Sequence, residues 1–350
     1  MREGFLLDPE VAYFNHGGYG ACSVEVFEEY RRRQLELERD PTAFFTRVLE
    51  KATYEARAAL AAFVGARTED IVFAANATSA LNAVIRSLRI RPNEEILTTK
   101  HEYGAILRTL GFIRANVVLV EPDELVANIG IRTRAVVVSH ITSPTALVLP
   151  VEDVCEAARK AGVLSIVDGA HVPGHLPLDV EAVGADVYAG NCHKWLCAPK
   201  GCGFLWARPE HQDWIEPLVV SWGYHDAANF GERHGWQGTR DPAACLAVAK
   251  AIEVHARFDP AEAKALADQA EKALATYGLR PLRGARSPFM RALTIRTSDP
   301  EALGRRLYDE HRVEVPVYDW EETALLRVSV GPYNDGADLE RLVDAVRAVL

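Results

Sequence analysis

Between residues 71 and 206, short apolar and β-branched runs alternate with stretches whose apolar residues recur at i, i+3 and i+4. The runs are IVFAA (71–75), EILTT (95–99), NVVLVEP (116–122), RAVVVSHIT (134–142), VLSIVDG (163–169), DVYAG (186–190) and GFLWAR (203–208). Between them, TSALNAVIRSLR, YGAILRTLGFIR and VEDVCEAARKAG carry the helical period, the last stopped by Gly162. Apolar runs separated by helices predict strands covered on both faces: a doubly wound α/β fold with a mostly parallel sheet. Ligands in such folds sit at the carboxyl ends of the strands.

A Gly-rich opening, NHGGYG (15–20), and helical patterns at about 24–39 and 51–64 precede this core. The stretch 209–242 is rich in Trp, Gly and His, lacks clear periodicity and reads as irregular. A helical pattern at 243–257 leads to Asp259-Pro260, where the character changes. Beyond it come a helix at 261–277, a strand at 291–296, a helix at 300–311, strands at 313–317 and 325–330, and a helix at 337–349, which together read as a small α+β unit. The expected organisation is an N-terminal segment (1–20) near the site, a large α/β domain (21–259) and a small C-terminal domain (260–350). There is no internal repeat or low-complexity tract.

Composition narrows the class. In 350 residues, 49% hydrophobic and 25% charged residues describe a globular chain and exclude disordered and fibrous classes. A net charge of −10 opposes attraction to nucleic acid or anionic membranes. No apolar run reaches the roughly 18 residues of a membrane span, and MREGFLLDPE lacks a signal-peptide pattern, so a cytoplasmic enzyme is expected. Six cysteines in such a chain do not suggest a disulfide framework.

Four segments carry candidate chemistry. NHGGYG resembles a dinucleotide-binding turn, but Ser23 replaces the third glycine and no βαβ unit follows. In IVFAANATSALNAVI a strand turns into a helix at Thr78 or Ser79; this is an anion site or a plain N-cap. In VLSIVDGAHVPG an apolar strand ends in Asp168, which calls for a cationic partner or belongs to an ordinary Asp-Gly turn. In DVYAGNCHKWLCAPKGCGFLWA, Lys194 follows a strand beside His193, as a nucleophilic amine of lowered pKa or as a loop lysine. Cys192, Cys197 and Cys202 lack zinc-site spacing and read as small apolar residues, and no metal site is expected. An anion-binding helix start, a strand-end Asp and a strand-end His-Lys along one sheet fit a single cofactor, pyridoxal phosphate (PLP). It needs a phosphate site, a lysine for its aldehyde and a carboxylate for its pyridine nitrogen.

With these residues the sequence resembles the class V aminotransferase family of fold-type I PLP enzymes over nearly its whole length. The resemblance is nearest to the isopenicillin N epimerase-like branch, in YFNHGGYG, HEYGA and NCHKWL. It makes Lys194 the lysine that holds the cofactor aldehyde, with Asn191 and His193 as phosphate contacts. It gives Asp168 the pyridine nitrogen and His171 the ring oxygen, and makes Asn76-Ala77-Thr78 the phosphate turn. Tyr103 in KHEYGAI is expected to stack on the ring, and Ser143 falls near a ring-oxygen ligand. Gln237-Gly238-Thr239 resembles the segment that reaches a neighbouring subunit's phosphate, which implies a homodimer with shared sites. Arg327 is the expected ligand of the substrate carboxylate, with Asn15 and His16 from the N-terminal segment near the substrate.

The reaction implied lies at the Cα of an amino acid, as epimerisation or transamination. The alternatives are a C–S or β-lyase and a cofactor-free binding paralogue. No cysteine follows Cys245, which argues against the persulfide chemistry of cysteine desulfurases. Tyr103 or His16 is the candidate acid on the face opposite Lys194.

Overall fold

The computed structural model describes residues 2–225 and 227–350. The chain enters through a short strand, β1 (Ala12–Tyr13). The central strands are β2 (Ile71–Ala74), β3 (Glu95–Thr99), β4 (Val117–Val120), β5 (Thr133–Ser139), β6 (Leu164–Gly169), β7 (Val187–Asn191) and β8 (Gly203–Ala207). They form a seven-stranded sheet in the order β2-β8-β7-β6-β5-β3-β4. β4, β3, β5, β6 and β7 pair in parallel, whereas β8 is antiparallel to both β7 and β2. The reason lies in the connection: residues 192–202 contain no crossover helix, so the chain returns alongside β7 in the opposite sense.

Both faces of the sheet are covered, as its continuous apolar runs require. In β5, Val136 and Val138 point into a core shared with the helices Leu49–Val64 and Val151–Ala161. Ala135 and Val137 point the other way, towards the helices Ala77–Ser87 and Gly104–Phe112. All four are fully buried. Each valine removed from water there contributes roughly 1.5–3 kcal/mol.

The C-terminal unit holds β9 (Arg280–Pro281), β10 (Met290–Ile295), β11 (Val313–Glu314), β12 (Val317–Trp320) and β13 (Thr323–Ser329). Four of these form a sheet in the order β12-β13-β10-β9, backed by the helices Pro260–Ala275, Pro300–His311 and Gly336–Val349. The single strand expected at 313–317 is broken, because Pro316 has no N–H to give to a ladder. β11 pairs instead with β1, Ala12 against Val313. Ala12 and Phe14 are fully buried in the core of the C-terminal unit. The N-terminal segment is thus tied to the far end of the chain.

Candidate active site

The carboxyl ends of β5, β6 and β7 lie side by side, and the register sets Ser139 beside Asp168 and Asp168 beside Ala189. Asp168 is 4% exposed, and its Oδ1 accepts from the Ala170 N–H at 2.8 Å. Burial pushes its carboxyl above the usual range, while the Ala170 hydrogen bond and the Lys194 charge pull it back. Three residues on, His171 is buried, with Nε2 3.0 Å from Lys194 Nζ. Burial, then the charges of Lys194 and Arg327, hold this imidazole neutral, well below its ordinary pKa. Lys194 itself is brought down to about 7 by burial and the Arg327 charge, against the opposing pull of Asp168.

Two glycines let these segments approach. Gly174 has φ +83°, and a Cβ there would stand 2.6 Å from the Trp195 carbonyl carbon. The chain after Asp168 can therefore lie directly on the chain after Lys194. Gly20 has φ +69°, and its Cβ would stand 1.9 Å from the His193 carbonyl oxygen, which presses the N-terminal segment onto the same loop.

At β7 the Asn191 Oδ1 accepts from the Ala77 N–H at 2.8 Å and docks the start of helix Ala77–Ser87 against the lysine segment. The Asn76 side chain caps that helix by accepting from the Ser79 N–H. The Ala77 N–H expected at the phosphate is thus engaged by Asn191, and Thr78 forms part of the cavity wall.

A cavity of about 190 Å³ gathers the sequence-nominated residues Thr78, Tyr103, Ser143, Asp168, His171, Asn191, His193 and Lys194 in its wall. A larger cavity of about 1350 Å³, walled by side chains such as Leu147, Leu149 and Leu178, holds none of the nominated residues. Tyr103 is 41% exposed and opens the helix Gly104–Phe112. Arg327 is buried one layer behind the wall, where its guanidinium donates to the Ser143 carbonyl at 2.6 Å and to the Ser143 Oγ at 3.2 Å.

Three nominated residues stand elsewhere. Asn15 lies beneath Gly18 and donates through Nδ2 to Glu314 Oε1 at 3.1 Å. His16 is fully buried, with Nδ1 3.1 Å from the Tyr333 hydroxyl and Nε2 3.1 Å from the Lys194 carbonyl, so both ring nitrogens are engaged away from the cavity. Gly18 and Tyr19 reach the cavity instead. Thr239 is exposed and does not line it.

Glu102 was not anticipated from the sequence. It is 3% exposed; its Oε1 accepts from Ser139 Oγ at 2.6 Å and the Tyr103 N–H at 2.7 Å, while its Oε2 is buried without a partner. Burial and then the Asp168 charge push its carboxyl up to about 7. Its signal in the sequence was only its position beside Tyr103 at the end of a strand.

Residues 28–342 match the family described as aminotransferase class-V. The chain belongs to that family. It is 36% identical to an isopenicillin N epimerase of Amycolatopsis lactamdurans, over 99% of this chain and 97% of the relative. It is 33% identical to the isopenicillin N epimerase of Streptomyces clavuligerus, with the same coverage. In fold it is similar to the Escherichia coli cysteine desulfurase CsdA, with a TM-score of 0.84 and 24% identity over 99% of this chain and 97% of that one. The fold is that of the fold-type I PLP enzymes, as the resemblance implied, and membership makes the chain a PLP-dependent enzyme.

The residues present fit that cofactor. Asp168 is a buried carboxylate facing the cavity with no ion-pair partner among the described residues, which suits a protonated ring nitrogen. Lys194 offers an amine whose pKa is brought down to about 7, so that a good part of it is free of its proton near neutrality. Thr78, at the start of an eleven-residue helix, offers a hydroxyl in the partial positive field of that terminus. Among the described residues no group of three or more His, Cys, Asp and Glu side chains is placed to hold a metal, and no helix is long and apolar enough to cross a membrane. All six cysteines are free thiols.

Proposed function

We propose that the chain removes and returns the Cα proton of an amino acid, as an epimerase of the kind its relatives are named for, in a cytoplasmic homodimer with shared sites. The observation that carries this reading is the Lys194 amine, with its pKa near 7, standing 3.0 Å from His171 in the same small cavity as Asp168 and two tyrosines. When bound, PLP supplies an electron sink that lowers the barrier to Cα proton loss.

The rest is done by the chain. Asp168 keeps a proton on the ring nitrogen. His171 and Ser143 would hold the ring oxygen, and Thr78, Asn191 and His193 would hold the phosphate. Thr239, exposed in one chain, reaches the phosphate of a neighbouring copy. Arg327 lies behind the Ser143 loop, and its fork would have to turn from Ser143 into the cavity to hold the substrate carboxylate and orient the Cα–H bond. Lys194, once free of the cofactor, takes the Cα proton on its own side.

Epimerisation needs a proton donor on the other side. His16, whose ring nitrogens are both engaged, does not serve. Tyr103 and Tyr19 bring hydroxyl-bearing side chains to the cavity. Incubation of the enzyme in deuterated water with either enantiomer of an amino-acid substrate should exchange the Cα hydrogen and yield both enantiomers. Exchange with full retention of configuration, or release of pyruvate from cysteine-type substrates, would move the assignment to a one-base transaminase or a lyase.

A further inference from the structure

Trp195 follows Lys194 in sequence, is 3% exposed, and lies between two buried imidazoles, with ring centroids 4.9 Å from His16 and 4.1 Å from His175. Each of these histidines has its proton fixed by a partner that plays only one role. His16 Nε2 faces the Lys194 carbonyl, which only accepts, so that nitrogen carries the hydrogen and Nδ1 receives the Tyr333 hydroxyl. His175 Nε2 receives the Phe289 N–H, which only donates, so Nδ1 carries the hydrogen and gives it to the His171 carbonyl. His16 and His175 thus anchor the backbone of Lys194 and of His171.

His171 itself has an ambiguous neighbour on one side. A neutral amine both donates and accepts, so Lys194 Nζ at 3.0 Å from Nε2 is compatible with either tautomer. On the other side the Trp195 Nε1–H donates to Nδ1 at 3.4 Å, and an indole N–H only donates.

We infer that Trp195 is a positioning residue that fixes His171 as its Nε2–H tautomer, so that a proton donor and not a lone pair faces Lys194 and the oxygen-bearing edge of the cofactor. The part concerning the cofactor rests on the proposed placement of His171 beside the ring oxygen. The part concerning Trp195 stands on the geometry alone.

Nitrogen-15 spectra of the holoenzyme labelled in histidine give the tautomer of each imidazole, and His171→Gln identifies the His171 signals by their loss. The expected result is a bare Nδ1 and a protonated Nε2. Trp195→Phe keeps an aromatic ring and removes the N–H, and should lower the ratio of the Nε2–H to the Nδ1–H form about five-fold, the worth of one ordinary hydrogen bond. The same substitution should shift the absorbance bands of the bound cofactor. In a His171→Gln background, where an amide donates without help, it should leave them unchanged. A protonated Nδ1 in the wild-type enzyme overturns the inference, and that measurement needs no variant to fold. An unchanged tautomer ratio in folded Trp195→Phe overturns it as well. If the ratio falls while the absorbance stays fixed, Trp195 sets the tautomer but the cofactor does not sit against His171, and the proposed placement fails.

Discussion

At Asp168 two demands oppose each other. Burial favours the neutral carboxyl, whereas holding a proton on a ring nitrogen requires the charge. The proposed resolution is the bound cation, and Asp168→Asn tests it by keeping the shape without the charge. Loss of one member of a buried charge pair costs about 3 kcal/mol or more, so Cα proton exchange should slow at least a hundredfold. Unchanged exchange would remove Asp168 from the mechanism. Glu102 is the converse case, a carboxyl better left protonated. Its folded pKa, about 7, lies above the unfolded value of 4.5, so its contribution to stability is present below pH 4.5 and is lost as pH rises to 7. In the cofactor-free protein, Glu102→Gln should therefore gain on the wild type by about 3 kcal/mol between pH 4.5 and 7.5 in urea unfolding. A difference independent of pH would mean that Glu102 is ionised in the fold. Asp168 and Lys194 were legible because a charge at the end of an apolar strand is anomalous. Glu102 sits among polar neighbours in KHEY, and what it meets in the fold, the Ser139 hydroxyl and the Asp168 charge, lies strands away in sequence.

The elements were easier to read than their pairings. Every central strand follows from an apolar run, and the helix Val151–Ala161 ends at Gly162 with φ +67°, as a helix-stopping glycine should. The reversal of β8 lay hidden in the length of a connection. The helix Phe230–Gly235 fell inside the stretch 209–242 read as irregular; its mark was a capping box, Asn229 with Glu232, which periodicity does not detect. The pairing of β1 with β11 joins residues three hundred positions apart, and no local pattern announces it. This strap reaches the site through Gly20. Gly20→Ala would need a Cβ inside the His193 carbonyl and a strained positive φ, so it should lower stability by about 1–3 kcal/mol and weaken cofactor retention during dialysis. If Gly20→Ala retains the cofactor as the wild type does, the strap does not shape the cavity.

Over the whole molecule, buried neutral histidines govern the response to acid. Burial brings His16 and His175 down to about 3 and His171 well below its usual value. Each binds a proton on unfolding once the pH falls below 6.5, so its stabilising contribution is present above that pH and lost below it. These three groups alone cost about 4 kcal/mol per pH unit; His140, His193 and His234, each brought down to about 4 chiefly by burial, add to the loss, and Glu102 offsets part of it. The cofactor-free protein should lose stability steeply from pH 6.5 to 5, and a flat profile in urea unfolding would contradict neutral burial. The small cavity, the strap and the Arg327 charge from the C-terminal unit all converge on Lys194, the residue predicted to hold the cofactor. Borohydride reduction of the holoenzyme, followed by proteolysis and mass spectrometry, tests this directly. The pyridoxyl group is predicted on the peptide carrying Lys194; its appearance on another lysine, such as Lys200, or on none, would contradict the account.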